Sequence, residues 1–400
     1  MMMEEESYFD LKELFFSRTD LRGVILSGNS VFQRVSVFNW EELIGAPHSC
    51  IRHPDMPRGV FYLLWETILA GNPIGAYVKN RSKDKKYYWV FALVLPVKKR
   101  QSFVSIRLKP TSAIFDIVQE QYKKIKEQEI LEKLTPQHSS LIIKQVISSL
   151  GFKDYQEFMI KALMEELKSR QEKLEIPPMP LLSCLEKIDE CGKRIEEFSL
   201  VMLEKFKQAE LLPLNLAIQS SQLKSGAGPL SAVSTEYASF ITEFKEKFEK
   251  FIGLLKLMSV SILQCKSSVS SQILLSEVIY FFKKQAIDPN DPNDYVGEMQ
   301  ILQDILKEET LKMNVELDSV TKNAKELRSS CLKLDSSSAA LEVIRLVGKI
   351  EIAKLEETSA HLVHLTEALL AFKTFFTDTI GQIVRESTLL EVNGQKMKDL

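Results

Sequence analysis

Between His48 and Asp55 the chain crowds five side chains able to carry charge or exchange protons: His48, Cys50, Arg52, His53 and Asp55. Cationic neighbours lower a thiol's pKa and raise its reactivity, which makes Cys50 the thiol to watch; an ordinary buried loop cysteine is the plainer reading. Arg52-His53-Pro54-Asp55 offers placed donors, an acceptor and charge, or a hydrogen-bonded turn tying a loop to the next helix. Trp65 supplies an aromatic surface, for a ligand or for a core. Other candidates are weaker. His361 and His364 lie three apart on one helical face, with no cysteine or second carboxylate cluster nearby in sequence to complete a metal site. His138 follows Pro136, but nothing after it resembles a kinase ATP-binding domain. Gly226-Ala227-Gly228 follows a helix, lacks the P-loop lysine and reads as a turn. No G-x-G-x-x-G, P-loop or H-E-x-x-H string occurs, so nucleotide or zinc hydrolysis has no sequence support.

The elements that hold these residues fall into two regimes. From about residue 20 to 110 the pattern is short and β-rich: Gly23 to Leu26, Gly75 to Lys79, Tyr87 to Val97 and Ser102 to Leu108 carry β-branched and aromatic residues between turn signals. Two helical pieces interrupt them, one around Asn39 to Ile44 and one after Pro57, where Val60, Phe61, Leu64, Trp65 and Ile68 recur at helical spacing. Beyond Ser112 long Lys/Glu-rich amphipathic stretches take over. Ala113 to Leu174 reads as two or three helices, with turns near Thr135-Pro136 and Gly151. The proline runs Glu175 to Pro180 and Asp288 to Asp294 break the pattern. Ile188, Ile195, Met202 and Ala209 lie seven apart, as do Tyr237, Phe244, Phe251 and Met258, with Ile241, Phe248 and Leu255 beside them. That spacing is the seam of a coiled coil or helical bundle, and Lys224 to Pro229 is the turn of an antiparallel hairpin. Tyr295 to Ser387 reads as another pair of helices broken near Asp335-Ser336-Ser337-Ser338.

Composition narrows the function classes. The 400 residues carry 52 basic and 54 acidic side chains mixed along the length, which leaves no footprint for a phosphate backbone and argues against nucleic acid. Five scattered cysteines form neither a disulfide framework nor a zinc site and suit a reducing cytoplasm. The N-terminus lacks a signal-peptide pattern, and no run approaches the roughly 18 uninterrupted apolar residues of a membrane span.

The string Trp40-Glu41-Glu42-Leu43-Ile44-Gly45-Ala46-Pro47-His48, then Ile51-Arg52-His53-Pro54-Asp55-Met56-Pro57, resembles the PAS domain of bacterial aerotaxis receptors. The likeness continues through Leu64-Trp65-Glu66-Thr67-Ile68 and Gly71-Asn72-Pro73 to Val78-Lys79-Asn80-Arg81 and Lys83 to Val90. Val37-Phe38 stands where that family usually has Gly-Tyr, Ile74 where it has tryptophan, and Lys85 where a turn glycine is common. The resemblance implies an α+β PAS domain, a five-stranded antiparallel sheet with flanking helices, followed by an all-α, coiled-coil-like region. It also implies an FAD pocket with Asn29, His48, Arg52, His53, Asp55 and Trp65 as candidate contacts. A flavin needs an apolar or aromatic slot, a few placed donors and acceptors, and cations near its phosphates. The expected organisation is an N-terminal helical cap over 1–19, the PAS sensor over 20–112, connecting helices over 113–180, and hairpins over 181–287 and 295–400.

Leu211 to Gln219, Gly226 to Leu230 and Glu236 resemble the cytoplasmic tip of methyl-accepting chemotaxis receptors, with Asn215, Ile218 and Glu236 on their counterparts. Gln219, Gln222 and Lys224-Ser225 replace charged or glycine positions of that tip. Gly348 to Glu357 is a fainter echo. Together these imply a cytoplasmic, non-enzymatic signal transducer that senses redox state or oxygen through a flavin and passes the change to the helices. Its implied partners are a second copy of the chain, since apolar seams need covering, and a chemotaxis kinase and coupling protein or receptor array. The alternative is a cofactor-free PAS adaptor or scaffold; haem is a further cofactor some PAS domains take.

Overall fold

The computed structural model describes residues 5–221, 227–284, 293–354 and 360–400. They divide into two units, Met1–Met179 with Lys266–Met313, and Pro180–Cys265 with Asn314–Leu400.

The first unit is built on a five-stranded antiparallel sheet. Its strands are β1 (Phe15–Asp20), β2 (Ile25–Gly28), β3 (Ile74–Arg81), β4 (Tyr87–Val97) and β5 (Ser102–Leu108), in the order β2-β1-β5-β4-β3. Between β2 and β3 lie α1 (Ser30–Ser36), α2 (Trp40–Leu43), a 3-10 turn (His48–Ile51) and α3 (Arg58–Leu69). Asn39 starts α2 with a capping box, its N–H donating to Glu42 at 3.0 Å. After β5 come α4 (Ala113–Leu131), α5 (Pro136–Ser149) and α6 (Tyr155–Lys173). The Thr135 hydroxyl caps α5, and Gly151 follows that helix with a φ of 89°.

The expected N-terminal helical cap is not helical among the described residues. Phe15–Asp20 is a sheet strand paired with β5 over six positions. The string alternates instead of turning: Phe15, Ser17 and Thr19 share one face, while Phe16 and Arg18 share the other.

Period-two alternation gives the sheet two different faces. On the near face stand Ser17 and Thr19 of β1, Val78 and Asn80 of β3, Val90, Ala92 and Val94 of β4, and Phe103, Ser105 and Arg107 of β5. The far face is covered by helices. Tyr77 and Trp89 meet Phe115 of α4 at 5.5 and 5.4 Å between ring centroids. Gly75 lets Met159 of α6 approach so closely that a Cβ there would fall 2.7 Å from its Cγ. Phe16 packs edge-on against Phe282 at 4.9 Å. The buried Glu166 of α6 accepts from the Tyr77 hydroxyl at 2.8 Å, the Ser112 hydroxyl at 2.6 Å and the Thr111 N–H at 2.6 Å, locking the sheet to the start of α4.

The second unit is formed by α7 (Pro180–Ala209), α8 (Leu212–Ser221), most of α9 (Ala227–Lys284), the latter part of α10 (Tyr295–Ala353) and α11 (Ala360–Lys398). Ile188, Ile195 and Met202 of α7, and Tyr237, Phe244, Phe251 and Met258 of α9, are buried as their heptad spacing predicts. Phe206 meets Phe248 at 4.9 Å, and Phe244 meets Phe376 of α11 at 5.2 Å. Arg328 pairs with Glu391 at 2.9 Å, and Thr377 donates to Asp335 at 3.0 Å, so α10 and α11 run antiparallel. Together α7, α9, α10 and α11 make an up-down-up-down bundle. The seams are therefore covered within one chain and do not by themselves demand a second copy.

One further sequence expectation changes. The break near Asp335–Ser338 is absent: α10 runs through it, because Leu334 and Leu341 keep the buried seam in register and Ser337 and Ser338 donate to carbonyls of their own helix. Within Leu230–Lys284 one 18-residue window reaches a mean hydropathy of 1.2, enough to cross a membrane by length and composition only, and 39% of that window is buried inside the protein; the expectation of no uninterrupted apolar run of that length is unchanged. The proposed turn at Lys224–Pro229, the proline run at Asp288–Asp294 and the end of the Gly348–Glu357 echo fall wholly or partly outside the described residues.

Candidate functional site

The near face of the sheet, the inner side of α3 and the loop around Pro47–Ser49 enclose a cavity of about 370 Å³, within the range of small-molecule sites. Its apolar wall comes from Phe61, Leu64, Trp65 and Ile68 of α3, facing Val90, Ala92 and Phe103 of the sheet. Trp65 and Phe103 meet edge-on at 6.0 Å. Gly23, at φ 80°, lets the loop after β1 pass against the Trp65 ring, where a Cβ would stand 3.0 Å from it.

The polar groups are cationic or neutral. Arg22, Arg52 and Arg107 line the cavity with His48, Asn80, Thr19 and Ser105, and no lining residue carries a carboxylate. Arg107 is 2% exposed, although it lies in a strand. Its Nε donates to Ser105 Oγ at 3.1 Å, and one terminal nitrogen reaches both Ser17 Oγ and His48 Nε2, the latter at 2.6 Å. The other terminal nitrogen has no hydrogen-bond partner among the described residues. Burial holds the Arg107 guanidinium down at about 10, against a small opposing effect of Tyr88.

Because a guanidinium can only donate, His48 Nε2 must accept, and the imidazole is neutral. Burial first, then the Arg107 and Arg52 charges, hold His48 well below its ordinary pKa. The ring lies parallel to Phe32 at 5.9 Å. Arg52 stacks its guanidinium on Phe61, 3.4 Å from the ring centroid, and desolvation lowers its pKa.

Of the six residues singled out in the sequence, the fold brings His48, Arg52 and Trp65 to the cavity. Asn29, His53 and Asp55 are elsewhere. Asn29 caps α1: its Oδ1 accepts from the N–H groups of Phe16 and Phe32 at 3.0 and 3.2 Å, and its amide donates to Leu14 at 2.7 Å. His53 is buried and accepts from the Asp55 N–H at 3.2 Å, while the exposed Asp55 carboxylate accepts from Lys79 at 2.7 Å. Partial burial opposes ionisation of Asp55, but the bond and charge of Lys79 prevail and keep it below its ordinary value. This is the hydrogen-bonded turn that Arg52-His53-Pro54-Asp55 could form. Cys50 is at the surface, and partial desolvation pushes its thiol up, opposite to activation by neighbouring cations: His48 is neutral and the Arg52 guanidinium is stacked on Phe61.

Residues 25–107, which cover β2 to β4, β5 as far as Arg107 and most of the cavity lining, match the family model described as the PAS fold. They form a PAS domain. The aerotaxis receptor of Escherichia coli strain K12 is 33% identical over 132 residues, 32% of this chain and 26% of the receptor. The chain thus spans about a quarter of the length of that relative. The light-state structure of the LOV domain of the blue-light photoreceptor Aureochrome1 is 17% identical, with a TM-score of 0.24, covering 30% of this chain and 93% of that one.

Sequence reasoning about the PAS domain missed Arg107, Asn80, Phe61 and Phe103. One signal was available for Arg107: in Ser102-Phe103-Val104-Ser105-Ile106-Arg107-Leu108, a charge sits in a strand apolar on both sides, where a buried cation needs a reason.

Proposed function

We propose that this chain is a cytoplasmic, non-enzymatic signal transducer whose PAS domain takes a flavin, FAD in the first instance, and passes a change in its redox state to the helical region. The observation that carries this reading is a buried guanidinium with a spare donor and no carboxylate, set in the wall of an aromatic-lined cavity. A flavin offers what those groups lack: a flat apolar ring system with a carbonyl edge, and a phosphate tail. Trp65, Phe103, Leu64 and Ile68 would pack the ring, Arg107 and Asn80 would meet polar atoms of its edge, and Arg52 and Arg22 would face the tail. When bound, the flavin supplies electron transfer coupled to protonation, and so a change of charge beside Arg107.

The output is the helical region, whose Leu211 to Glu236 segment resembles a chemotaxis receptor tip. A homodimer working with a chemotaxis kinase, a coupling protein or a receptor array is the partner set this reading implies. A second reading, a cofactor-free adaptor, draws on Arg107's three bonds within the protein, which hold it without a ligand. The absorption spectrum of the purified chain, before and after incubation with FAD, decides between them. Flavin bands that bleach reversibly on reduction and are lost in Arg107→Met support the sensor. A protein that stays colourless after incubation refutes it and leaves the adaptor, and a Soret band redirects the site to haem.

A further inference from the structure

Strand β1 has a different partner on each face, one residue apart. Ser17 points to the near face and accepts a hydrogen bond from the cavity guanidinium of Arg107. Arg18 points to the far face and grips Glu298 in the first turn of α10: its Nε lies 2.9 Å from both carboxylate oxygens and its terminal nitrogen 2.6 Å from one. Glu298 is 3% exposed, so this is a buried fork and not a surface pair. Around it, Phe16 packs on Phe282 near the end of α9, Phe282 packs on Tyr295 at 5.9 Å, and the Gly28 N–H donates to Asn293 at 3.1 Å. The register of β1 against β2 shifts between Arg18 and Thr19, a local irregularity of the kind that lets a strand bend.

We propose that β1 is a two-sided lever, with Arg107 as its input and the Arg18–Glu298 pair as its output. Arg107 divides its donors between Ser17, Ser105, His48 and whatever occupies the cavity. A ligand that gains negative charge draws the guanidinium off Ser17; β1 relaxes at its irregular point, and Arg18 loosens its hold on the start of α10. Coupling of this kind is reciprocal, so a change at Glu298 must alter affinity in the cavity on the opposite side of the sheet. The inference rests on the flavin reading for the identity of the ligand, but not for the connection through β1.

Hydrogen exchange on the full chain, read by mass spectrometry over residues 14–20 and 295–305, tests the lever without ligand. Ser17→Ala and Arg107→Gln are expected to speed exchange over 295–305 by about tenfold, within the usual span of site-to-site couplings. Phe103→Leu alters the same cavity wall without touching Ser17 and should leave that segment as in the unsubstituted chain. Exchange over 295–305 that stays unchanged in both variants, or changes equally in Phe103→Leu, overturns the lever. Thermal melts identify a variant that fails to fold, and Arg107→Lys then replaces Arg107→Gln. With FAD as probe, Glu298→Gln should shift the dissociation constant severalfold; FAD that binds all variants equally also overturns the lever. If FAD binds none of them, the flavin reading fails, while the ligand-free exchange still decides the lever.

Discussion

Replacing Arg107 by methionine is expected to cost the ligand-free protein little stability while abolishing ligand retention. The depression of the guanidinium to about 10 corresponds to about 3 kcal/mol of lost preference for the charged form, all of it relieved in Arg107→Met. Against this stand three hydrogen bonds from a charged donor, to Ser105, Ser17 and His48, each worth about 1.5 kcal/mol net at the low end for a charged group. The relieved desolvation offsets most of their loss, and the methionine side chain refills most of the volume. The expected loss is therefore about 1 to 2 kcal/mol, whereas breaking a structural buried ion pair costs about 3 to 5 kcal/mol. The assay is urea denaturation followed by tryptophan fluorescence, which isolates the right region because Trp40, Trp65 and Trp89 are the chain's three tryptophans and all lie in the PAS domain. A loss above about 3 kcal/mol would make Arg107 a structural tie and refute the argument that its unmet donor awaits a ligand.

Val37 ends α1 in the left-handed region at φ 62°, a strained conformation for a β-branched residue. Val37→Gly should stabilise by about 1 kcal/mol, and Lys85→Gly, at φ 70°, by less; an unchanged or lower urea midpoint in Val37→Gly would show that the strain is not there. His48 has a folded pKa well below its unfolded value of about 6.5, so its contribution is complete above that pH and lost as pH falls below it, by up to about 1.4 kcal/mol per pH unit. His48→Gln keeps an acceptor for Arg107 and should flatten that slope between pH 8 and 5; an identical slope in the variant assigns the titration to another group. Glu166→Ala should cost about 3 to 5 kcal/mol, since it strands the Tyr77 hydroxyl and the Thr111 and Ser112 amides, and a loss below 1 kcal/mol in the fluorescence assay contradicts the lock between sheet and α4. Asn29→Ala should cost about 2 to 3 kcal/mol and leave FAD affinity unchanged, because Asn29 joins α1 to β1 and does not line the cavity; a large affinity loss in the folded variant contradicts this placement.

What the sequence revealed follows from how local each signal is. Strands β2 to β5, α2, α3 and the heptad seams are written in short local patterns, and Ile188, Ile195, Met202, Tyr237, Phe244, Phe251 and Met258 are buried as that periodicity demands. Phe15–Asp20 misled because a short apolar string fits either period, and only its pairing with β5, some 85 residues away in sequence, makes it a strand. Asp335–Ser338 misled in the opposite direction: polar, turn-prone residues stay helical when the flanking Leu334 and Leu341 are fixed by tertiary packing. For the site, types were legible and directions were not. His53 and Asp55 looked as suitable as Arg52, but the turn that exposes Asp55 toward Lys79 also turns Arg52 toward Phe61 and the cavity.

Buried charges elsewhere in the PAS-containing unit make the case of Arg107 sharper. Glu166 accepts from two backbone amides and two hydroxyls. Glu129, 1% exposed, accepts from the Arg58 and Gly59 amides at the start of α3 with Lys126 3.5 Å away. Arg170 donates to the carbonyls of Leu11 and Lys12 and pairs with Glu277. Each of these charges has an opposite charge or several backbone dipoles directed at it, as burial requires. Arg107 has two hydroxyls and one neutral imidazole, none of them anionic, and a donor left over. Glu129 Oε2 also lacks a hydrogen bond, but Lys126 lies 3.5 Å from it; departures from full satisfaction concentrate where a protein functions, and Arg52, whose Nε is likewise without a partner, lines the same cavity as Arg107. Arg107 faces the cavity on one side and, through Ser17, the strand that holds α10 on the other, so a buried charge with an unmet donor is also well placed to report what the cavity contains.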